Sequence, residues 1–124
     1  MTITAKIQSH KDLPVRQQAM DLAVGVYAAT RGWPREELYG LTSQVRRAAS
    51  SVPADIAEGY GRETRAAHEN FLRTAQGSLK EVETHLIIAR RTGMAEDEQL
   101  APPLDATESV GKLLRLLLRR LSKD

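Results

Sequence analysis

Apolar positions recur along most of this chain at steps of three and four, the period of a helix with one buried face. The first run starts at Pro14, a residue suited to the first helical turn, and continues to about Thr30. Its stripe is Ala19, Ala23, Val26 and Thr30, with Met20 and Tyr27 beside it. Gly32, Trp33 and Pro34 end it, and Arg35 to Gly40 reads as a turn or a short helical piece. Residues 1–12 are polar and read as an N-terminal arm ahead of a bundle spanning 13–124.

A second helix is predicted from Leu41 or Thr42, with Leu41, Val45, Ala48, Val52 and Ile56 as its stripe and Ala49 and Tyr60 adjacent. Pro53 interrupts this pattern. Proline removes a backbone donor and disfavours helix at the residue before it, so a bend is expected at Val52. The period resumes beyond it, which predicts one bent helix ended by Gly59 and Gly61. The third helix carries the longest seam: His68, Leu72, Ala75, Leu79, Val82, Leu86 and Ala89 alternate steps of four and three, as in a bundle or coiled coil. Thr64 is placed to cap its start and Gly93 to end it. The acidic, proline-paired stretch Met94 to Asp105 reads as a linker, followed by a fourth helix from about Ala106 to Leu121.

Val110, Leu114, Leu117 and Leu121 form the inward stripe of that last helix, and Leu113, Leu116 and Leu118 widen it. A helix apolar on more than one face buries more than one face. Either the core helix is wide or a second subunit covers Leu113 and Leu116. Gly77 and Ser78, small residues beside the third seam, are a candidate for the opposing surface. Four helices with short connections predict an all-α, antiparallel up-down-up-down four-helix bundle of left-handed twist.

Composition narrows the chemistry. The chain has 124 residues, enough for one domain. Aromatics are only 4%, so the core rests on Leu, Val, Ile and Ala, which suits helix packing. The absence of cysteine excludes disulfides, thiolate metal sites and a cysteine nucleophile, and is compatible with a reducing compartment. The first residues lack an apolar signal-peptide core, and no apolar run approaches a membrane span; the expected location is cytoplasmic, with no membrane partner.

No enzyme constellation stands out. His10, His68 and His85 are far apart in sequence without a nucleophile motif, and His68 falls on the seam, which favours a buried or capping role. Glu81 and His85 share a helical face at metal-ligand spacing, but a dimetal bundle needs Glu-x-x-His on two helices. A metal-dependent enzyme using Glu58, Glu81 and His85 is therefore the remote alternative, and the expectation is no enzyme, cofactor, metal or small-molecule substrate. Glu58 and Glu81 are better read as members of an ion-pair network with Arg46, Arg47 or Arg62. Gly59 to Gly61, beside Arg62, has either a phosphate-cradling or a simple helix-ending reading, and the second is preferred.

Net charge is only +2, so any polyanion claim rests on charge arrangement. In the predicted topology Arg62, Arg65, Arg115, Arg119, Arg120 and Lys123 gather at one end and form a candidate nucleic-acid surface. The alternative is that the cations complement helix C-termini, as Arg119 and Arg120 do.

The run Trp33 to Arg62, WPREELYGLTSQVRRAASSVPADIAEGYGR, followed by Phe71 to Leu86, FLRTAQGSLKEVETHL, resembles the four-helix bundle family of 23S rRNA intervening-sequence proteins. It is also similar to accessory variability proteins of diversity-generating retroelements. Trp33 stands where the resemblance leads one to expect phenylalanine, and Asp55 where it leads one to expect asparagine. The resemblance implies a homopentameric ring and, for the retroelement relatives, binding to nucleic acid and a reverse transcriptase. The sequence thus predicts a non-enzymatic homo-oligomer, an accessory or scaffold protein bound to RNA or a ribonucleoprotein. The other reading is a protein-interaction module that binds no nucleic acid.

Overall fold

A computed structural model describes residues 2–123, with side chains described from Pro14 to Ser122. Four helices form it: α1 (Thr2–Thr30), α2 (Leu41–Tyr60), α3 (Arg65–Arg91) and α4 (Asp97–Lys123), with a short 3-10 turn at Arg35–Glu37 between the first two. No strand occurs among the described residues. Each helix packs on two neighbours in a closed cycle, α1–α2–α3–α4–α1, and among the described residues none meets the helix diagonally opposite. This is a four-helix bundle.

The core lies along the expected stripes. Val45, Ala48, Val52 and Ile56 of α2 and Leu72, Ala75, Leu79, Val82, Leu86 and Ala89 of α3 are all buried. From α1 come Val15, Ala19, Leu22 and Val26, and from α4 come Leu100, Val110, Leu114, Leu117 and Leu118. Leu22 takes the place expected of Ala23, which is half-buried. Met20 and Tyr27 face outward.

Local chemistry explains the ends of α2 and α3. The Glu37 carboxylate accepts from the Leu41 amide at 3.2 Å, placing an anion at the positive end of α2. Pro53 lies inside α2, which continues through it as one helix. The Thr64 hydroxyl accepts from the Ala67 amide at 3.1 Å and caps α3. After α3, Gly93 adopts φ +77°, a left-handed conformation that glycine takes without a Cβ clash.

Two boundaries depart from expectation. Helix α1 reaches back to Thr2, so Pro14 lies inside it rather than at its start, and residues 2–12 are helical backbone rather than an irregular arm. The expected linker is mostly helix, because α4 starts at Asp97 and carries Pro102 and Pro103 within it. The Glu96 amide donates to the Gln99 side-chain oxygen at 3.1 Å, half of a capping box, and Asp97 and Glu98 suit the positive helix end. The carbonyls that lose a donor to the two prolines belong to Glu98 and Gln99, which are exposed, so water serves them. Leu100 and Pro103 are buried, and burying a leucine contributes about 1.5–3 kcal/mol. Core burial thus overrides a proline signal that reads as a helix break.

Candidate functional site

The register of the helices follows from specific contacts. Gly59 of α2 packs against His68 of α3, and the Ser122 hydroxyl of α4 donates to Glu69 of α3 at 3.1 Å. The end of α2, the start of α3 and the end of α4 therefore share one end of the bundle, as the sequence predicts.

At that end Arg62, Arg65, Arg119 and Arg120 are exposed. Arg62 is engaged within the fold: its guanidinium lies 3.5 Å from the Glu58 carboxylate and 4.6 Å from the Phe71 ring centroid. Arg65 opens α3, while Arg119 and Arg120 stand in the last turns of α4. No ion pair involves Arg65, Arg119 or Arg120 among the described residues. Lys123 lies outside the residues whose side chains are described. Arg115 lies apart from the end surface, in a groove between α3 and α4.

Of the expected network of Glu58 and Glu81 with Arg46, Arg47 or Arg62, one subunit forms only the Glu58–Arg62 pair among the described residues. Glu58 pairs with Arg62, one helical turn away. Glu81 approaches His85 Nε2 at 3.5 Å, within α3. Arg46 turns to α1 instead: its Nε donates to the Thr30 hydroxyl at 2.8 Å and its guanidinium lies 4.9 Å from the Tyr27 ring centroid. Arg47 is exposed and makes no ion pair among the described residues. The reason is geometric: four-residue spacing brings a partner to each carboxylate from its own stretch of chain before it reaches another helix. Glu58 lies apart from the Glu81–His85 pair, and no three His, Asp or Glu groups converge among the described residues.

His68 is half-buried, and burial lowers its pKa, partly opposed by Glu69. Its ring centroid lies 5.3 Å from that of Tyr60, a packing role rather than a cap. Asp55 is shifted the other way: burial raises its pKa and Glu58 adds to this. Gly59 to Gly61 is a helix-ending turn, with the Gly61 amide donating to the Glu58 carbonyl at 3.0 Å and the Arg62 amide to the Gly59 carbonyl at 3.2 Å.

The leucine-rich face of α4 is mostly absorbed by its own bundle. Leu118 is buried, Leu113 and Leu121 are half-buried, and Leu116 stays 50% exposed. Sequence reasoning missed a broader apolar strip on α1, where Met20, Val24 and Tyr27 share one helical face and are exposed. Their i, i+4, i+7 spacing was the available signal. Ser78 is half-buried, and Gly77 is exposed on the α3–α4 groove with no atom within 4 Å of the position of an added Cβ.

The sequence profile described as 23S rRNA-intervening sequence protein matches residues 11–115. The chain belongs to this family. Its fold is similar to the crystal structure of a protein of unknown function from the S23 ribosomal protein family of Bacteroides thetaiotaomicron. The TM-score is 0.81 at 24% identity, covering 88% of this chain and 98% of that one. No curated protein matches as a relative. The family match takes in the buried Trp33, the half-buried Asp55 and the α3 seam, and it ends at Arg115. Arg119, Arg120 and Lys123 lie beyond it, so this chain's own sequence carries the case for that part of the basic end. Among the described residues no helix of this family member is long and apolar enough to cross a membrane.

Proposed function

We propose that this protein is a non-enzymatic, cytoplasmic, homo-oligomeric accessory protein that binds RNA or a ribonucleoprotein through the basic end of its bundle. The observation that carries this reading is the gathering of exposed Arg65, Arg119 and Arg120 where α2 ends, α3 begins and α4 ends. Their guanidinium groups are uncommitted to carboxylates among the described residues, so phosphates meet no internal competitor. Arg62, held by Glu58 and Phe71, contributes less. A ring of subunits, pentameric by the family resemblance, places several such ends side by side and raises the local positive potential. The exposed strip Met20, Val24 and Tyr27, with Leu116, supplies apolar surface for that association.

The test is binding of a single-stranded RNA across a salt series. Wild-type affinity falls steeply with salt, because each phosphate contact releases counterions. Arg119→Glu with Arg120→Glu weakens binding at low salt and flattens the slope. Equal binding by the double variant, or no affinity in the wild type, removes this reading.

A second reading has its own observation. Leu38, Tyr39 and Ile88 are exposed, with Tyr39 93% exposed on the segment joining α1 to α2. Aromatic and aliphatic groups left in water suit a protein contact that involves no nucleic acid. Partner capture that survives nuclease treatment and is lost in Tyr39→Ser favours it.

A further inference from the structure

A groove of about 650 Å³ runs between α3 and α4, and none of its features is used by the end surface. Two glycines line it. Gly77 contributes no side chain from α3, and at Gly111 of α4 an added Cβ would lie 3.4 Å from Leu79 Cδ2. Arg73, Gln76 and Lys80 line it from α3, and Thr107, Glu108 and Arg115 from α4. The charges divide along its length. Lys80 pairs with Glu83 at 3.7 Å and Glu108 with Lys112 at 3.6 Å, which neutralises both acids of the lining. Arg73 and Arg115 have no ion-pair partner among the described residues.

Register places these two arginines together. Gly111 lies against Leu79, and Ser122 bonds Glu69, so the helices run antiparallel and the Arg115 backbone is level with Gln76, one turn from Arg73, while its guanidinium reaches back to 3.6 Å from the position of a Cβ added at Gly111. The opposite part of the groove holds the neutralised Lys80, Glu83 and Glu108. The arginine part faces the end where Arg119 stands one turn beyond Arg115 on α4.

We infer that this groove seats the phosphodiester backbone of a single-stranded polynucleotide, with Arg73 and Arg115 each meeting a phosphate and Gln76 between them along the groove. Two unpaired guanidiniums in one groove can form charge-assisted bonds to successive phosphates, and the missing side chain at Gly77 lets the strand approach. No aromatic residue lines the groove, so it provides no stacking platform and grips backbone without reading bases. The inference rests on the nucleic-acid reading of the basic end, and it extends that surface along the bundle.

The experiment measures binding of a fluorescent ten-nucleotide oligouridylate by anisotropy, using full-length protein. Gly77→Leu fills the groove and removes no charge; the site is open and leucine is a better helix former than glycine, so the fold is kept, as circular dichroism checks. Arg73→Gln with Arg115→Gln removes the charges and leaves the groove open. Each variant is expected to weaken binding about tenfold or more, and the arginine pair to reduce the single-strand salt slope by about 1.4. If wild-type protein binds and Arg119→Glu with Arg120→Glu weakens it, but Gly77→Leu binds as wild type does, the groove inference is overturned and the end surface stands. If wild-type protein binds no oligouridylate, inorganic pyrophosphate is the second probe, read from the Gly77 and Gly111 amide resonances. Shifts absent from the arginine double variant then keep the phosphate seat and overturn the polynucleotide; no shifts overturn both.

Discussion

A Cβ atom added to Gly59 would fall 2.9 Å from Cδ2 of His68 and 3.3 Å from Cβ of Phe71. The absent side chain at Gly59 lets the last turn of α2 press directly on the first turns of α3. Gly59→Ala ordinarily gains helix propensity, but here the ring or the helix must shift, and overpacking costs about 1–3 kcal/mol. Gly25 has nothing within 4 Å of its added Cβ. Gly25→Ala is therefore expected to stabilise by about 0.4–1 kcal/mol through the unfolded chain. Urea denaturation of the two variants gives opposite signs.

The pH dependence of stability contains two opposing groups. Burial holds His68 below the ordinary histidine range. The unfolded chain takes up this proton first, so stability falls as pH drops below about 6.5 toward the lower native value and is unaffected above. His68→Gln flattens that part of the denaturation profile. Burial and Glu58 raise Asp55, so the native carboxyl keeps its proton to higher pH than the unfolded one. Its contribution therefore diminishes stability as pH rises through about 3.9 to the raised value. Asp55→Asn is expected to stabilise at pH 7 and to approach wild type below about pH 4, measured by thermal melts at each pH.

Arg46 and Thr30 join α1 to α2. The Thr30 hydroxyl accepts from Arg46 Nε and donates to the Val26 carbonyl at 2.9 Å, so it is fully used and buried. Thr30→Val leaves the guanidinium without its acceptor and costs about 1.5–3 kcal/mol, as for hydrogen bonds to charged groups. Added to Arg46→Met, the same change costs much less, and a double-mutant cycle in guanidinium chloride reads the difference.

Leu86 is wholly buried in the α3 seam. Leu86→Ala is expected to destabilise by about 2–5 kcal/mol through lost transfer energy and a cavity. A loss under 1 kcal/mol in denaturant titration contradicts the packing described.

Self-association through α1 and α4 predicts a response to charge on surface that the bundle itself does not use. Val24 is 69% exposed and Leu116 50% exposed, so Val24→Glu with Leu116→Glu leaves the core intact. Light scattering is expected to show an oligomer for wild type at micromolar concentration and a monomer for the double variant, with unchanged circular dichroism. A wild-type monomer removes both the ring and the concentrated charge built on it.

The sequence by itself determined the all-helical class, the bounds of α2 and α3 and the α3 seam. Those features are local: a steady three-four alternation, Thr64 at a cap position and Gly93 where φ must be positive. The tertiary structure decided the rest, because the deciding forces act between residues far apart in the chain. Pro102 and Pro103 read as a break until burial of Leu100 and Pro103 holds that segment helical. Leu118 and Leu116 are chemically alike, and only the placement of α4 against its neighbours buries one and exposes the other. Charge alone offers Glu58 three arginines, Arg46, Arg47 and Arg62; the structure selects Arg62, four residues on, while Thr30 takes Arg46 across two helices. The α3–α4 groove was illegible for the same reason: Arg73 and Gly77 share one helical face and Gly111 and Arg115 another, but nothing in the sequence says that these two faces meet. Antiparallel packing of two helices alone brings them to one place.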